Sequence, residues 1–440
     1  MNTKSRALIW PASIALGVLA MLSPLRAAAQ ATPPAGAQAA PQNPPAHVTL
    51  DEAIDLALKH NHSLQAARTT ILQNQAQETT ANLRPNPTIF ADAQFLPFFQ
   101  PSNFTSDYLD TSAQFDLGIG YLFERGKKRQ HRLQAAKDQT AVTTAQVTDN
   151  ERTLTFNVAS QFIMALLAEA NLELANKDLE SFQQAVNISE DKVKAGAMSE
   201  GDLLKIKLQL LQFQMDVSAA KLSRVQAMAS LRQLLGYESV PENYAVDGDL
   251  EYKPLKLGVD DLKAMALRLR PDLHAAQLGV TAAQSQFELA RANGKRDVNA
   301  QVNYTHIADL NTASLFGSIQ LPIFDRNQGE IARTRFAISQ SQELSSEQAS
   351  IALTDVVNSY EALRTNDEVV QLYESGYRKE AEDSRDISQY AYQRGAASLL
   401  DYLDAERSYR AAELAYRQAL ASYMTSLEQL RQAVGTRSLP

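Results

Sequence analysis

Residues 50–67, LDEAIDLALKHNHSLQAA, and residues 259–276, VDDLKAMALRLRPDLHAA, are two versions of one segment. Asp51 recurs as Asp260, a spacing of 209, and Ala57, Leu58, Leu64, Ala66 and Ala67 return as Ala266, Leu267, Leu273, Ala275 and Ala276. The ends of the halves match as well. Leu231, Arg232, Gln233 and Gly236 return as Leu430, Arg431, Gln432 and Gly435, now at a spacing of 199. Two copies of one unit, separated by modest insertions, predict a pseudo-symmetric fold with an internal two-fold repeat. The boundaries that follow are a first repeat over 48–240, a linker over 241–258, a second repeat over 259–435 and a short tail over 436–440.

The N-terminal 29 residues read as a secretory signal peptide. Lys4 and Arg6 supply a basic start, Ala7 to Leu22 an apolar stretch interrupted by Pro11, and Ala27, Ala28 and Ala29 a small-residue cleavage site, with cleavage after Ala31 as the alternative. Beyond it no run approaches the roughly 20 apolar residues of a membrane-spanning helix. Residues 30–47 are rich in Pro and Ala and read as a flexible lead-in. The chain has no cysteine. That excludes disulfides, thiolate metal sites and a lipidated N-terminal cysteine. The net charge of −8 is spread without a basic stripe, which argues against nucleic acid.

Between Gly126 and Ala195 there is neither proline nor further glycine, and strong helix formers dominate. A helix of that length reaches on the order of 100 Å. Its apolar positions step by three and four through Leu172, Ala175, Leu179, Phe182 and Val186, and resume after a turn as Leu203, Ile206, Leu210, Phe213 and Val217. Heptad spacing of this kind predicts an antiparallel coiled coil. The second half repeats it with alternating size: Tyr402, Ala405, Tyr409, Ala412, Tyr416, Ala419, Tyr423.

Two stretches in each half change to a period of two. Phe115, Leu117, Ile119 and Tyr121 alternate with Gln114, Asp116, Gly118 and Gly120, while Val298, Ala300, Val302 and Tyr304 alternate with Asn299, Gln301 and Asn303. Weaker partners are Ala91, Ala93 and Phe95, and Ile319, Leu321 and Ile323. Strands are therefore expected near 88–96, 113–122, 297–305 and 315–323, each long enough to cross a bilayer when tilted. A soluble sandwich has the same alternation, but four strands are too few to close a barrel or cover a core. Open edges are not tolerated in lipid, so copies of the chain must join, two giving eight strands and three giving twelve.

Four local patterns, each occurring twice in the same order, carry a family resemblance. They are ALKHNHSLQAA with LRLRPDLHAA, the turns LFERGKKRQ and IFDRNQGEIARTR, the hairpins KAGAMSEGDLL and QRGAASLLDYLDA, and the terminal LRQ-x-x-G pair. From about Val48 to Gly435 the chain resembles the outer-membrane efflux protein (TolC) family. One departure is Asn61-His62 where the family has Asn-Pro; the second copy keeps Pro271. The resemblance implies a mainly α fold: long coiled-coil helices forming an α-barrel, with four amphipathic strands per chain contributing to a twelve-stranded transmembrane β-barrel of a homotrimer. It also implies an efflux channel of the outer membrane with a large periplasmic portion, working with an inner-membrane pump and a periplasmic adaptor.

The hairpins at Gly196 and Gly395 hold the candidate functional residues. Each has a glycine suited to ending one helix, followed by Ser-x-x-Asp opening the next, so Ser199, Asp202 and Ser398 read as caps. The resemblance places Asp401 and Asp404 toward the tunnel axis at the periplasmic gate, where three chains would contribute six carboxylates. It matches Tyr392 to a gating tyrosine, while the family's gating arginine is replaced by Ala397; Arg394 is the neighbouring arginine. By the same resemblance Gly196, Ala197, Met198 and Gly395, Ala396, Ala397 are adaptor-docking tips, where small residues allow close backbone approach.

Other functions compete less well. A type I secretion duct is the alternative within the family. A periplasmic coiled-coil adaptor or scaffold is the alternative outside it, but an adaptor carries one hairpin flanked by Gly-rich β domains, whereas two hairpins and four amphipathic strands are present here. No nucleophile elbow, phosphate loop or ligand cluster points to an enzyme or a cofactor. His60 and His62 form no metal motif with the scattered His47, His131, His274 and His306, and read as solvated surface residues.

Overall fold

The computed structural model describes residues 47–254, 258–308 and 310–439. The expected signal peptide and the lead-in up to residue 46 lie outside the described residues. Each half builds the same series. The first runs β1 (His47–Val48), α1 (Leu50–His60), α2 (His62–Ala81), β2 (Thr88–Gln94), the short α3 (Ser106–Thr111), β3 (Gln114–Phe123), α4 (Lys128–Lys194) and α5 (Glu200–Leu235). The linker adds β4 (Ala245–Val246). The second half runs α6 (Val259–Leu269), α7 (Pro271–Asn293), β5 (Val298–Ile307), β6 (Leu310–Ile319), α8 (Gln328–Leu372), a five-residue π turn (Tyr373–Tyr377), α9 (Arg378–Arg394) and α10 (Leu399–Val434).

The duplicated motifs prove to be two sides of one contact. Ala57, Leu64, Leu231 and Leu235 sit in the first core with Val158, Phe162 and Tyr244; Ala266, Leu430 and Val434 sit in the second with Val356, Leu363 and Tyr423. The repeated glycine ends the last helix of each half against the end of the short one. Gly236 has φ +92° and a Cβ there would lie 2.7 Å from the His60 carbonyl oxygen; Gly435 has φ +90° and would bring one to 3.1 Å from the Leu269 carbonyl. Beside each glycine the same bridge recurs with different chemistry. Asn61 Nδ2 donates to the Leu234 carbonyl at 2.9 Å, and Arg270 Nη1 donates to the Ala433 carbonyl at 3.2 Å. Asn61 also caps α2 through its Oδ1, which accepts from the Leu64 N–H at 3.0 Å, so this helix starts well without the proline.

Three expectations need correction. The lead-in ends one residue earlier: His47, assigned to it, and Val48 pair in parallel with Ala245 and Val246 of the linker, whose Leu250 packs against both cores. The fourth strand lies at 310–319, not 315–323, because the chain reverses directly after Ile307, whose partner is Leu310. Leu321 and Ile323 continue the apolar alternation beyond the ladder, where Pro322 has no N–H to donate. Finally, α4 does contain an 18-residue window apolar enough to span a membrane. More than half of that window is buried, with Val158, Phe162 and Ile163 inside the protein, so it is a core segment.

The four long strands form one antiparallel sheet in the order β2-β3-β5-β6. It ties the halves together through β3 and β5, where Leu117 faces Tyr304 and Ile119 faces Val302. All four strands meet their helices at one end. Below it α4 runs as a spine against α2, α5, α7 and α10, while α8 packs on α7 and α10. At ~1.5 Å per residue, the 67 residues of α4 span about 100 Å. Its counterpart is broken between α8 and α9 by the π turn, where Gly376 has φ +138°.

Alanine at Gly435 combines an unfavourable positive φ with a crowded Cβ, and is expected to destabilise by roughly 1–3 kcal/mol. Gly279, inside α7 with nothing within 4 Å of a Cβ, is expected to respond oppositely, Gly279→Ala stabilising by up to ~1 kcal/mol. Thermal unfolding of the two variants followed by circular dichroism reads the difference.

Candidate functional site

The sheet has its faces reversed relative to a water-soluble protein. Ile119 is 50% exposed and Val302 52%, with Phe115, Leu117 and Tyr304 alongside, while Asp116 on the opposite face is only 6% exposed. Asp116 gathers a polar network across three strands, accepting from Gln114 Nε2 at 2.7 Å, Asn303 Nδ2 at 3.1 Å, Gln94 Nε2 at 3.4 Å and the Thr305 hydroxyl. An exposed apolar face backed by a hydrogen-bonded polar face suits lipid outside and water inside. Neither edge of the sheet is paired: among the described residues, β2 and β6 each have one strand neighbour.

At the far end of the helices lie the two hairpins. Gly196 and Gly395 adopt φ +72° and +77°, and the following N–H groups return to the helix ends, Ala197 to the Lys192 carbonyl and Ala396 to the Ala391 carbonyl, each at 2.8 Å. Ser199 Oγ accepts from the Asp202 N–H at 3.1 Å, and Ser398 Oγ from the Asp401 N–H at 3.2 Å. Asp401 completes a full capping box, its carboxylate accepting from the Ser398 N–H at 3.1 Å and hydroxyl at 2.7 Å. Asp401, expected to serve the gate and not the cap, is a capping residue as well, because the third position of a helix places its carboxylate over the cap. Ser398 holds the Asp401 carboxyl below the usual range, and Lys205 and then Ser199 do the same for Asp202. Asp404, one turn on, is exposed and lies 3.5 Å from Arg407.

Gly196, Ala197, Gly395 and Ala396 are exposed, whereas Met198 and Ala397 are half-buried. Met198 turns inward because it fills the space between the hairpins, its sulfur 3.9 Å from the Tyr392 hydroxyl. Tyr392 is the tie between them. Its hydroxyl lies 3.2 Å from Ser189 Oγ, Lys192 donates to its carbonyl at 3.0 Å, and the Lys192 ammonium sits 4.6 Å from its ring centre. Arg394 instead stacks on Tyr390. From Tyr392 an aromatic row crosses four helices: Tyr392 to Tyr402 at 5.3 Å, Tyr402 to Phe182 at 6.4 Å, and Phe182 to Phe213 at 4.6 Å.

Directly above that row lies a buried charged cluster that spacing along the chain does not reveal. Arg410 of α10 reaches Asp216 of α5 at 2.6 Å and Asp178 of α4 at 3.5 Å. Glu406, one turn earlier on α10, is 5% exposed. Burial first, then the nearby Asp178, push its carboxyl up to about 7, against the opposing pull of Arg385 and Arg410. Burial likewise raises Asp178 despite Arg410. The Tyr402 hydroxyl is buried without a hydrogen-bond partner. The only sequence signal was a carboxylate at a position facing the Tyr/Ala seam. His60 and His62 are both exposed.

Comparison with known proteins agrees with this arrangement. The profile of the outer membrane efflux protein family matches residues 53–237 and 262–436, in effect once per half. The pyoverdine export outer membrane protein OpmQ of Pseudomonas putida is 26% identical over 412 residues, covering 88% of this chain and 85% of OpmQ. The cobalt-zinc-cadmium resistance protein CzcC of Cupriavidus metallidurans is 25% identical over 446 residues, covering 98% of this chain and all of CzcC. Among solved structures, the Campylobacter jejuni CmeC outer membrane channel superposes with a TM-score of 0.73 at 18% identity, covering 88% of this chain and 85% of CmeC. The chain belongs to the outer membrane efflux protein family, a family of transport channels.

Proposed function

We propose that three copies of this chain close a twelve-stranded barrel and a coaxial helical tunnel, forming the outer-membrane duct of a tripartite efflux system that exports small solutes. The unpaired edges of a sheet whose apolar face is already exposed are the observation that carries this reading. In lipid each unpaired backbone group costs several kcal/mol, and edge pairing between copies removes that cost. The names of the relatives, pyoverdine export and cobalt-zinc-cadmium resistance, support small solutes as cargo.

The gate in this proposal is the hairpin tip. Asp401 and Asp404 from three chains form a ring of carboxylates at the constriction, which concentrates cations and opposes closure. Closure is opposed by that repulsion and held by Tyr392 on Ser189 and Lys192, in place of the arginine contact that Ala397 cannot make. The exposed turns at Gly196, Ala197, Gly395 and Ala396 receive the adaptor hairpins, with Met198 and Ala397 beneath them. The capping serines Ser199 and Ser398, with Asp202, keep those turns rigid.

Glu406 couples this region to pH. Its folded pKa lies above its ordinary 4.5, so from about pH 4.5 to 7 the unfolded chain loses a proton that the folded chain keeps. Stability attributable to this group therefore falls as pH rises through that window and stays low above it. The charged groups acting on it are Asp178 of α4, Arg410 of α10, and Arg385 and Asp386 of α9.

Outer-membrane fractions run unheated on a denaturing gel should contain a heat-modifiable trimer; a soluble periplasmic monomer would refute the duct. In bilayer recordings, the pair Asp401→Asn and Asp404→Asn should weaken cation selectivity and multivalent-cation block, and unchanged selectivity would remove these residues from the gate. Glu406→Gln should raise stability above pH 7 by up to about 3 kcal/mol and flatten its decline between pH 5 and 7. Melting curves across that range check it, and a wild-type slope in the variant would contradict it.

A further inference from the structure

We propose that the foot of the β-sheet carries a binding surface for the anionic headgroups of phospholipids in the periplasmic leaflet of the outer membrane. The chain as a whole is acidic, at −8, yet bases collect at the junctions of strands and helices, and three of the four junction loops, over 124–127, 294–297 and 320–327, lie together. The Lys295 side chain lies over Gly126, where a Cβ would come within 2.6 Å of its Cδ, and Gly294 packs on the Arg326 carbonyl. The acids present are already engaged: Glu124 with Arg132 at 2.8 Å, Asp297 with Lys128 at 2.7 Å and Asp325 with Arg296 at 3.5 Å. Arg125, Lys127, Arg129, Lys295 and Arg326 remain without an ion pair among the described residues, and all but the half-buried Arg129 are exposed.

Three features direct this excess charge toward lipid. First, it lies immediately below the outward apolar rows, which end in Phe123 and Ile319 and continue through Ile323 and Phe324, the last 90% exposed. Exposed aromatics with cations just beyond them mark the boundary of a bilayer, where ring and headgroup lie at one level. Second, Lys127, Lys128 and Arg129 occupy the start of α4, the end of the helix where its dipole disfavours positive charge, and no acidic residue lies in the first turn. An external anion relieves that conflict. Third, the repeat doubles the geometry: α4 and α8 both begin from a left-handed non-glycine residue, Lys127 at φ +58° and Asn327 at φ +62°. The surface needs the outer-membrane placement of the family, but neither the gate nor the choice of cargo.

The test uses the full-length protein purified in a neutral detergent. Phosphatidylglycerol is expected to raise its melting temperature by at least ~2 °C where equimolar phosphatidylcholine or inorganic phosphate does not. The variant carrying Arg125→Gln, Lys127→Gln, Arg129→Gln and Lys295→Gln should lose that shift and retain less phosphatidylglycerol in native mass spectra. Should it fail to assemble, Arg125→Gln with Lys295→Gln is read in the same way, and a variant exchanging Arg and Lys at the four positions should keep the response. Equal shifts with both lipids, an equal shift with inorganic phosphate, or an undiminished shift in the glutamine variants would each overturn the proposal. Gel analysis of the trimer separates these results from failure of the channel itself.

Discussion

Backbone hydrogen bonding in a medium without water is the constraint on which this architecture rests. Four strands present an apolar face outward and leave the N–H and C=O groups of β2 and β6 without partners along the outer edges. Water would satisfy those groups and lipid cannot, so the sheet is incomplete as a single chain. The rest of the design is compatible with closure. The polar network around Asp116 faces away from the apolar rows, and every strand passes to its helix at the same end.

The helical part solves a different problem, that of holding two hairpins together over a long distance from the sheet. At the sheet the halves are joined by the β3–β5 ladder, and at the level of the two cores by the linker, whose Leu250 packs on both. Near the tips they are joined by a row of rings from Phe213 to Tyr392, by the contacts of Tyr392 with Ser189 and Lys192, and by Arg410 bridging two carboxylates above the row. Stacked rings supply non-directional burial, whereas the buried Glu406 and the unpartnered Tyr402 hydroxyl add cost. The apolar cluster at the tips is accordingly smaller than the cores around Leu231 and Leu430.

Much of this was legible along the chain wherever a residue's role depends on its neighbours in sequence. Period-two alternation located β3 and β5 to within two residues, because side chains on a strand must face opposite sides. Heptad steps located α4 and α5, and Ser-x-x-Asp located both helix starts. Local reading went wrong where two periodic signals ran together or where a distant partner decided the outcome. The alternation at Ile319, Leu321 and Ile323 continues past the ladder, and only pairing with β5 shows that β6 begins at Leu310. The break at Tyr373–Tyr377 has no counterpart in α4, although glycine at 376 permits it. Asp401 stands at the same spacing from Ser398 as Asp202 from Ser199, so its capping role is legible in the sequence.

The sequence by itself determined the duplication, the order of helices and strands, the amphipathic faces, the hairpin turns and the family, since each is written in local periodicity or in repeated motifs. Tertiary structure alone decided that the repeated Gly236 and Gly435 close against His60 and Leu269 and that Tyr392 reaches Ser189. It alone brought Glu406, Asp178, Asp216 and Arg410 together from three helices, and the cations of three loops into one patch. The physical reason is the same in each case: these contacts join residues far apart in the chain, and their energies depend on burial and distance that no local pattern encodes.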